Sequence, residues 1–198
     1  MAAIRVERLH GEQLLTRLDD LARLRITVFR DWPYLYEGDI SYERQYLERY
    51  ARAKTGTIVV ALDGELAVGA ATALALEEEV DYVQAPFLAA GMDVKPIFYF
   101  GESVLLKQYR GHGIGVGFFN EREAAARRFA KRICCFCGVQ RPADHPMKPA
   151  DYVPLDAFWT KRGYAKRPDL VSSFSWTDIG DTAQTAKPMV YWMRELPA

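Results

Sequence analysis

Apolar positions recur along this chain with two periods, and the switches between them divide it into elements. Residues 3–9 (Ala-Ile-Arg-Val-Glu-Arg-Leu) alternate apolar and polar, which predicts a first strand. From Gly11 to Arg30 the period lengthens, with Leu14, Leu15, Leu18, Leu21, Leu24, Val28 and Phe29 at helical spacing. That helix should stop near Asp31-Trp32-Pro33, because proline disfavours helix at the residue before it. A loop dense in aromatics and carboxylates follows (Trp32 to Asp39), then a short helix over 42–52. Runs 57–62 and 65–76 read as strands joined by Asp63-Gly64, a strong hairpin signal. Residues 77–95 read as an insertion that opens on Glu77-Glu78-Glu79, expected to be a solvated charge run, with a helical turn over 86–90.

The second half turns on one junction. An apolar strand over 96–106 runs into a turn carrying Gly111, Gly113, Gly115 and Gly117, and a helical pattern begins at once, from Gly113 to Ala130. Ile114, Phe118, Ala125 and Phe129 supply its buried stripe, and Glu123 and Arg127 are spaced for a solvated i,i+4 pair. The run 133–139 is then a buried strand, parallel to 96–106 by the right-handed crossover rule. A proline-rich loop (141–154), a short helix (155–162) ended by Gly163, and strands over about 170–177 and 187–196 complete the chain. With no repeat or linker, residues 1–198 read as one domain.

Composition mainly excludes. Apolar content of 49% and charged content of 26% suit a soluble globular domain, and the formal net charge is zero. There is accordingly no electrostatic footprint for nucleic acid or an anionic membrane. Charges throughout the first twenty residues argue against a secretory signal, and no apolar run is long enough to span a bilayer. A cytoplasmic location is the default expectation. Cys134, Cys135 and Cys137 match no common zinc spacing and read as small buried side chains, so no metal is expected.

The chemistry begins where strand, glycine turn and helix meet. First-turn N–H groups of a helix have no partners within it, and the macrodipole favours an anion there. Glycine lets the backbone approach such an anion, and Arg110 adds a fixed positive charge. The turn therefore reads as a pyrophosphate cradle. A Walker loop is excluded, since no Lys-Ser/Thr follows, and the dinucleotide fingerprint fails in both frames, at Val116 and at Phe118. What fits is Arg-x-x-Gly-x-Gly: Arg110, Gly113 and Gly115.

In this setting the motif resembles the coenzyme A signature of the GNAT superfamily of N-acetyltransferases, and the order of elements resembles that fold over the whole chain. A second segment, Phe158-Trp-Thr-Lys-Arg-Gly-Tyr164, is similar to the family's aromatic-Tyr-x-x-x-Gly-Phe stretch. The resemblance implies an α/β fold: a mixed, mostly antiparallel sheet, flanked by helices, whose two central parallel strands splay apart. It implies acetyl-CoA as cofactor, with Val104, Leu105 and Leu106 beside the pantetheine and Arg110, Gly111, His112, Gly113, Ile114 and Gly115 around the pyrophosphate. It puts Trp159, counted with the cofactor-binding residues, where the family frequently has its general-acid tyrosine. Indole cannot donate that proton, although a thiol of pKa ~8.5 can leave as thiolate, and Tyr164 stands nearby.

An alkylammonium must lose a proton before it attacks a thioester. Glu102, just before the cradle, is the first candidate base, its pKa expected to rise beside apolar neighbours. His145 in the loop after strand 133–139 is the second. His112 suits phosphate contact, and His10 a surface turn. Trp32, Tyr34, Tyr36, Glu37 and Asp39 are candidates for the wall of an acceptor site, with rings and carboxylates suited to a cation. The expected activity is direct acetyl transfer to a primary amine on a small molecule or peptide. The alternative is an acyl-CoA-binding regulatory module without turnover, and transfer of a longer acyl group also stays open. The resemblance leaves a homodimer open too.

Overall fold

The alternation and the hairpin signal become one sheet. The computed structural model describes residues 4–9 and 15–197. Its elements are β1 (Arg5–Leu9), α1 (Leu18–Phe29), α2 (Ile40–Arg52), β2 (Thr57–Asp63), β3 (Leu66–Ala75), α3 (Asp81–Ala89), β4 (Ile97–Leu105), α4 (Ile114–Arg128), β5 (Ile133–Val139), α5 (Asp156–Lys161), β6 (Ala165–Thr177) and β7 (Gln184–Glu195). Seven strands lie in the order β1-β2-β3-β4-β5-β7-β6, and only β4 and β5 run parallel. Gly64 turns the β2–β3 hairpin at φ +60°. His10 and Leu14 fall outside the described residues. No helix among the described residues is long and apolar enough to cross a membrane.

β2 and β3 are apolar without alternation because both faces of the sheet are covered. α4 lies over Val59, Ala61, Val68 and Ala71, while α1 and α2 lie over Ile58, Val60, Ala70 and Leu74. On α1 the expected stripe holds at Leu18, Leu21 and Leu24, but Leu15 is exposed.

The feature that positions everything else is a bulge in β4. Ala71 pairs with Ser103 and Ala73 with Phe100, so Gly101 and Glu102 together oppose Thr72. An extra residue bends a strand. β4 and β5 pair only through Ile97–Ile133, Phe98–Cys134 and Tyr99–Cys135, and beyond Tyr99 the two strands part.

From the α4 side Arg122 pins this bend. It is 2% exposed and donates to the carbonyls of Phe118 (3.1 Å), Glu102 (3.1 Å) and Thr72 (3.4 Å) and to Ser103 Oγ (2.8 Å), with its guanidinium 4.3 Å from the Phe100 ring centre. Burial pushes its pKa down to about 10, which leaves it charged at neutral pH. Arg122→Met keeps the bulk but strands those buried acceptors. Loss of about 3 kcal/mol of stability is expected, read by urea unfolding.

Several sequence expectations are corrected. The glutamates 77–79 are solvated only at their start: Glu77 is exposed and pairs with Lys131 (2.6 Å), Glu78 is half-buried and accepts from Thr55 Oγ1 (2.8 Å), and Glu79 is 5% exposed beneath Arg49 and Tyr50. Glu123 is buried and pairs with Arg194 (2.9 Å), not with Arg127, because α4 turns that position toward β7. The helical turn near Pro86 extends back to Asp81. Pro86 has no N–H for the Tyr82 carbonyl, and Ser172 Oγ donates to that carbonyl instead (2.8 Å). β6 begins at Ala165 and not near 170, with a register shift between Arg167 and Val171 absorbing Pro168.

Candidate active site

The junction of β4 and α4 has the geometry of an anion site. Gly111 (φ +83°) and Gly113 (φ +81°) turn the chain through the left-handed region, and a Cβ on either would meet nothing within 4 Å. Gly113 caps α4 without a side-chain hydrogen bond, its carbonyl taken by the Gly117 N–H (3.0 Å). The amides of the first turn are thereby left facing outward. Arg110 and His112 are exposed around the turn, and Arg110 Nε also donates to the Leu105 carbonyl (3.2 Å). Ile114 is buried, so it offers its amide and not its side chain.

Leading into the turn, β4 presents an unpaired edge to the gap. Leu106 N–H bonds back to the Val68 carbonyl (3.0 Å), so by alternation Val104 also faces β3, while the polar groups of Ser103 and Leu105 face the opening. Val104 is corrected accordingly: its side chain is fully buried and its backbone is committed to β3.

On the α1–α2 side of the bulge sits Glu102. Its Oε2 accepts from Tyr46 (2.6 Å) and Thr72 (2.8 Å), and its Oε1 lies 2.6 Å from Arg25 Nη1. Arg25 also pairs with Glu43 and lies over the Tyr46 ring, 4.0 Å from its centre. An ion pair and two hydroxyls thus surround the carboxylate, in place of the apolar lining expected. Burial, and then the adjoining Glu102, raise the Tyr46 phenol, which stays a neutral donor.

The remaining candidates divide. Trp32 packs against His145 (ring centres 5.0 Å apart) and Tyr152 (6.0 Å), and its Nε1 is buried with no hydrogen-bond partner. Tyr34 is packed on Phe29 (4.5 Å) and burial raises its phenol. Tyr36 is half-buried, its phenol raised by burial and then by Glu43. Glu37 is an exposed partner of Arg30 (2.9 Å), and Asp39 is spent capping α2, accepting from Tyr42 N–H (2.9 Å). His145 Nδ1 accepts from Met147 N–H (3.2 Å), which puts the proton of a neutral ring on Nε2. As a base it would first have to give up that bond. On the other side of the gap Trp159 stacks edge-on against Phe136 and Trp192 (each 5.1 Å) and covers Gly138, where a Cβ would come within 3.2 Å of the indole. Tyr164 is 1% exposed and its hydroxyl donates to Glu123 (3.1 Å), so it is committed away from the gap. The Cys134 and Cys137 thiols are pushed up to about 12 by burial, which makes them poor nucleophiles.

Arg25, Tyr46, Thr72 and Arg122 were not singled out from the sequence, yet a signal existed for two of them. Arg25 falls on the apolar stripe of Leu18 and Leu21, and Arg122 one turn after Phe118. A charge on a buried face needs a partner.

The loop wall is held by a second buried cluster. Arg141 donates to the carbonyls of Pro33 (2.8 Å) and Tyr34 (2.6 Å) and pairs with Asp178 (2.6 Å), which also meets Lys187 (3.1 Å). Burial alone would raise the Asp178 carboxyl, but hydrogen bonds from Arg141 and Lys187 outweigh it and hold it below the usual range. With the folded value below the unfolded one of about 3.9, the cluster stabilises fully above that value, and its contribution is lost as pH falls through the folded value. Calorimetry across pH should show Tm falling on acidification through this window, and Asp178→Asn should flatten that fall while lowering Tm at neutral pH.

No protein-family model and no curated protein matches the sequence. Solved structures do match. A ribosomal-protein-alanine N-acetyltransferase from Brucella melitensis superposes with TM-score 0.62 at 14% identity, covering 96% of this chain and 99% of that one. A GNAT-family acetyltransferase from Staphylococcus aureus gives TM-score 0.62 at 12% identity, over 98% and 100%. This chain has the GNAT fold. An aminoglycoside 6′-N-acetyltransferase complexed with coenzyme A is equally similar, with TM-score 0.62 at 14% identity over 98% of each chain. The expected GNAT architecture is therefore present, including the single parallel pair that parts at its centre.

Proposed function

We propose that this protein is an acetyl-CoA-dependent N-acetyltransferase that passes the acetyl group directly to a primary amine, with Glu102 as general base. The observation that carries the reading is the parting of β4 from β5 beside a bulge that holds a carboxylate, and its ending on an open glycine cradle. The cradle suits a diphosphate: outward amides, two left-handed glycines without neighbours, and Arg110. The coenzyme A bound to the aminoglycoside acetyltransferase of the same fold supports the choice of ligand.

Bound acetyl-CoA would supply an acyl group on a thiol of low basicity. The backbone of Ser103 and Leu105 offers strand-like hydrogen bonds along the gap, and Arg110 and the amides of 113–115 hold the charged end. An alkylammonium sheds two protons on becoming an amide; Glu102 takes the first, and the departing thiolate the second. With Trp159 in the tyrosine position and Tyr164 bonded to Glu123, no phenol is asked to protonate the sulfur. Trp32, with its buried and unpartnered Nε1, and the neighbouring Tyr34 and Tyr36 form the acceptor wall.

A second reading, an acyl-CoA-binding module without turnover, is favoured by Trp159 and by the enclosure of Glu102. Two measurements decide between them. Isothermal titration should show coenzyme A binding, and thiol release from acetyl-CoA should depend on an amine from a panel of spermidine, tyramine, kanamycin and an alanine-started peptide. Binding without amine-dependent release supports the module; no binding sinks both.

A further inference from the structure

We propose that the Trp32 indole N–H selects amines that carry an oxygen atom, and that residues 142–154 form a strap that lifts from Trp32 to admit them. The inference rests on Trp32 as part of the acceptor wall, and it names the class of amine that the wall takes.

An indole has one hydrogen to give and no lone pair, so only an acceptor atom satisfies it. A buried indole usually has such a partner. Trp176, on the same wall, does: its Nε1 donates to the Tyr34 carbonyl (3.0 Å). Trp32 Nε1 is buried and has none among the described residues. The carbonyls of its own loop are spent elsewhere. That of Asp31 accepts from the N–H groups of Tyr34 and Leu35 (each 3.1 Å), and those of Pro33 and Tyr34 accept from Arg141 (2.8 and 2.6 Å). The missing acceptor therefore has to come from outside the loop.

What covers Trp32 is lightly held. Its ring contacts among the described residues are with His145 (5.0 Å) and Tyr152 (6.0 Å), both on the strap. The strap's hydrogen bonds all stay inside it. The N–H groups of His145, Lys148 and Tyr152 donate to the carbonyls of Pro142 (3.2 Å), His145 (3.0 Å) and Pro149 (3.1 Å). Met147 N–H meets His145 Nδ1 (3.2 Å), and Lys148 Nζ meets the Ala143 carbonyl (3.3 Å). Only His145 and Tyr152 are not exposed. The ends, by contrast, are fixed. Gln140 N–H bonds the Pro188 carbonyl (2.9 Å), Arg141 pairs with Asp178, and beyond the strap α5 packs Trp159 on Phe136. Lifting the middle thus breaks two ring contacts and no hydrogen bond to the body.

The strap also lies close to the chemistry. Burial first, then Cys137, Tyr152 and Glu102, raise the Tyr34 phenol, so Tyr34 is within electrostatic reach of both the strap and the base. With the strap raised, an oxygen of the incoming amine takes the Trp32 N–H, and His145 and Tyr152 close over the pair. An amine without an oxygen leaves that N–H buried and unpaired, and is held less well for that reason.

Two arms test this. The first needs no substrate and follows exchange of the Trp32 indole N–H by NMR, its resonance being the one that Trp32→Phe removes. Relative to intrinsic rates, it should exchange about 100-fold or more faster than the slowest amides of β2 and β3. In Tyr152→Ala it should be about tenfold faster again, with those amides unchanged. Exchange as slow as the core amides, which open only on global unfolding, overturns the strap. The second arm is thiol release with matched amines: tyramine against phenethylamine, and alaninamide against sec-butylamine. In at least one pair, Trp32→Phe should cut the preference in kcat/KM for the oxygen-bearing member about tenfold or more, with KM for acetyl-CoA unchanged. Equal losses for both members of both pairs would mean that only the ring's bulk matters, and the selection is overturned. Spermidine, which has no oxygen, as the best acceptor of the panel also overturns it. Thiol release with no amine at all would sink acetyl transfer itself and the selection with it, an outcome distinct from equal losses.

Discussion

Glu102→Gln should lower amine-dependent thiol release by about 10²–10⁴-fold while coenzyme A binds as before. The substitution is nearly isosteric. The amide oxygen still accepts from Tyr46 and Thr72, which sets the amide NH2 against Arg25 Nη1 so that this guanidinium edge shifts away, while Arg122 holds the backbone of the bulge through the main-chain carbonyl. Arg25 keeps Glu43, so the buried guanidinium is not left without a counter-ion. What disappears is the only acidic side chain placed on the bend itself. Stopped-flow thiol detection with calorimetric coenzyme A binding on the same preparation separates the two effects. Turnover near the parental rate would remove Glu102 from the chemistry.

Gly113→Ala should cost about 1–2 kcal/mol of stability, and should also weaken coenzyme A about tenfold or more. The first effect is backbone strain: at φ +81° an L side chain is disfavoured even though the space is open. The second arises because that open space is what the diphosphate would fill. Gly64→Ala is the matched control, since Gly64 also has positive φ (+60°) with no neighbours, but it lies in the β2–β3 turn. Equal losses of Tm with coenzyme A affinity lost only in Gly113→Ala would assign the cradle. Equal affinity in both would place the phosphates elsewhere.

The elements that could be read from the sequence are those whose pattern is local. The Asp63-Gly64 turn, the strand 133–139 and the glycine turn before α4 fall where expected, because turn chemistry and periodicity are set within a few residues. Glu79 and Glu123 were misjudged for the opposite reason. A glutamate followed by a helix, or four residues before an arginine, looks solvated until a distant element arrives, here α2 over Glu79 and β7 over Glu123. Asp39 differs, because its role as a helix cap is local, made with the Tyr42 N–H three residues on.

By itself the sequence determined the succession of strands and helices, the left-handed glycines at the head of α4, and the carboxylate at 102, since each depends on residue type and near neighbours. Only the tertiary structure decided that β4 leaves β5 after Tyr99, that Arg25 comes to rest on Glu102, and that a pair of tyrosines joins Glu102 to Glu79. Apart from the Tyr46–Tyr50 step, those polar contacts join residues 29 to 77 positions apart, and no local pattern encodes which buried polar groups must find one another once water is excluded.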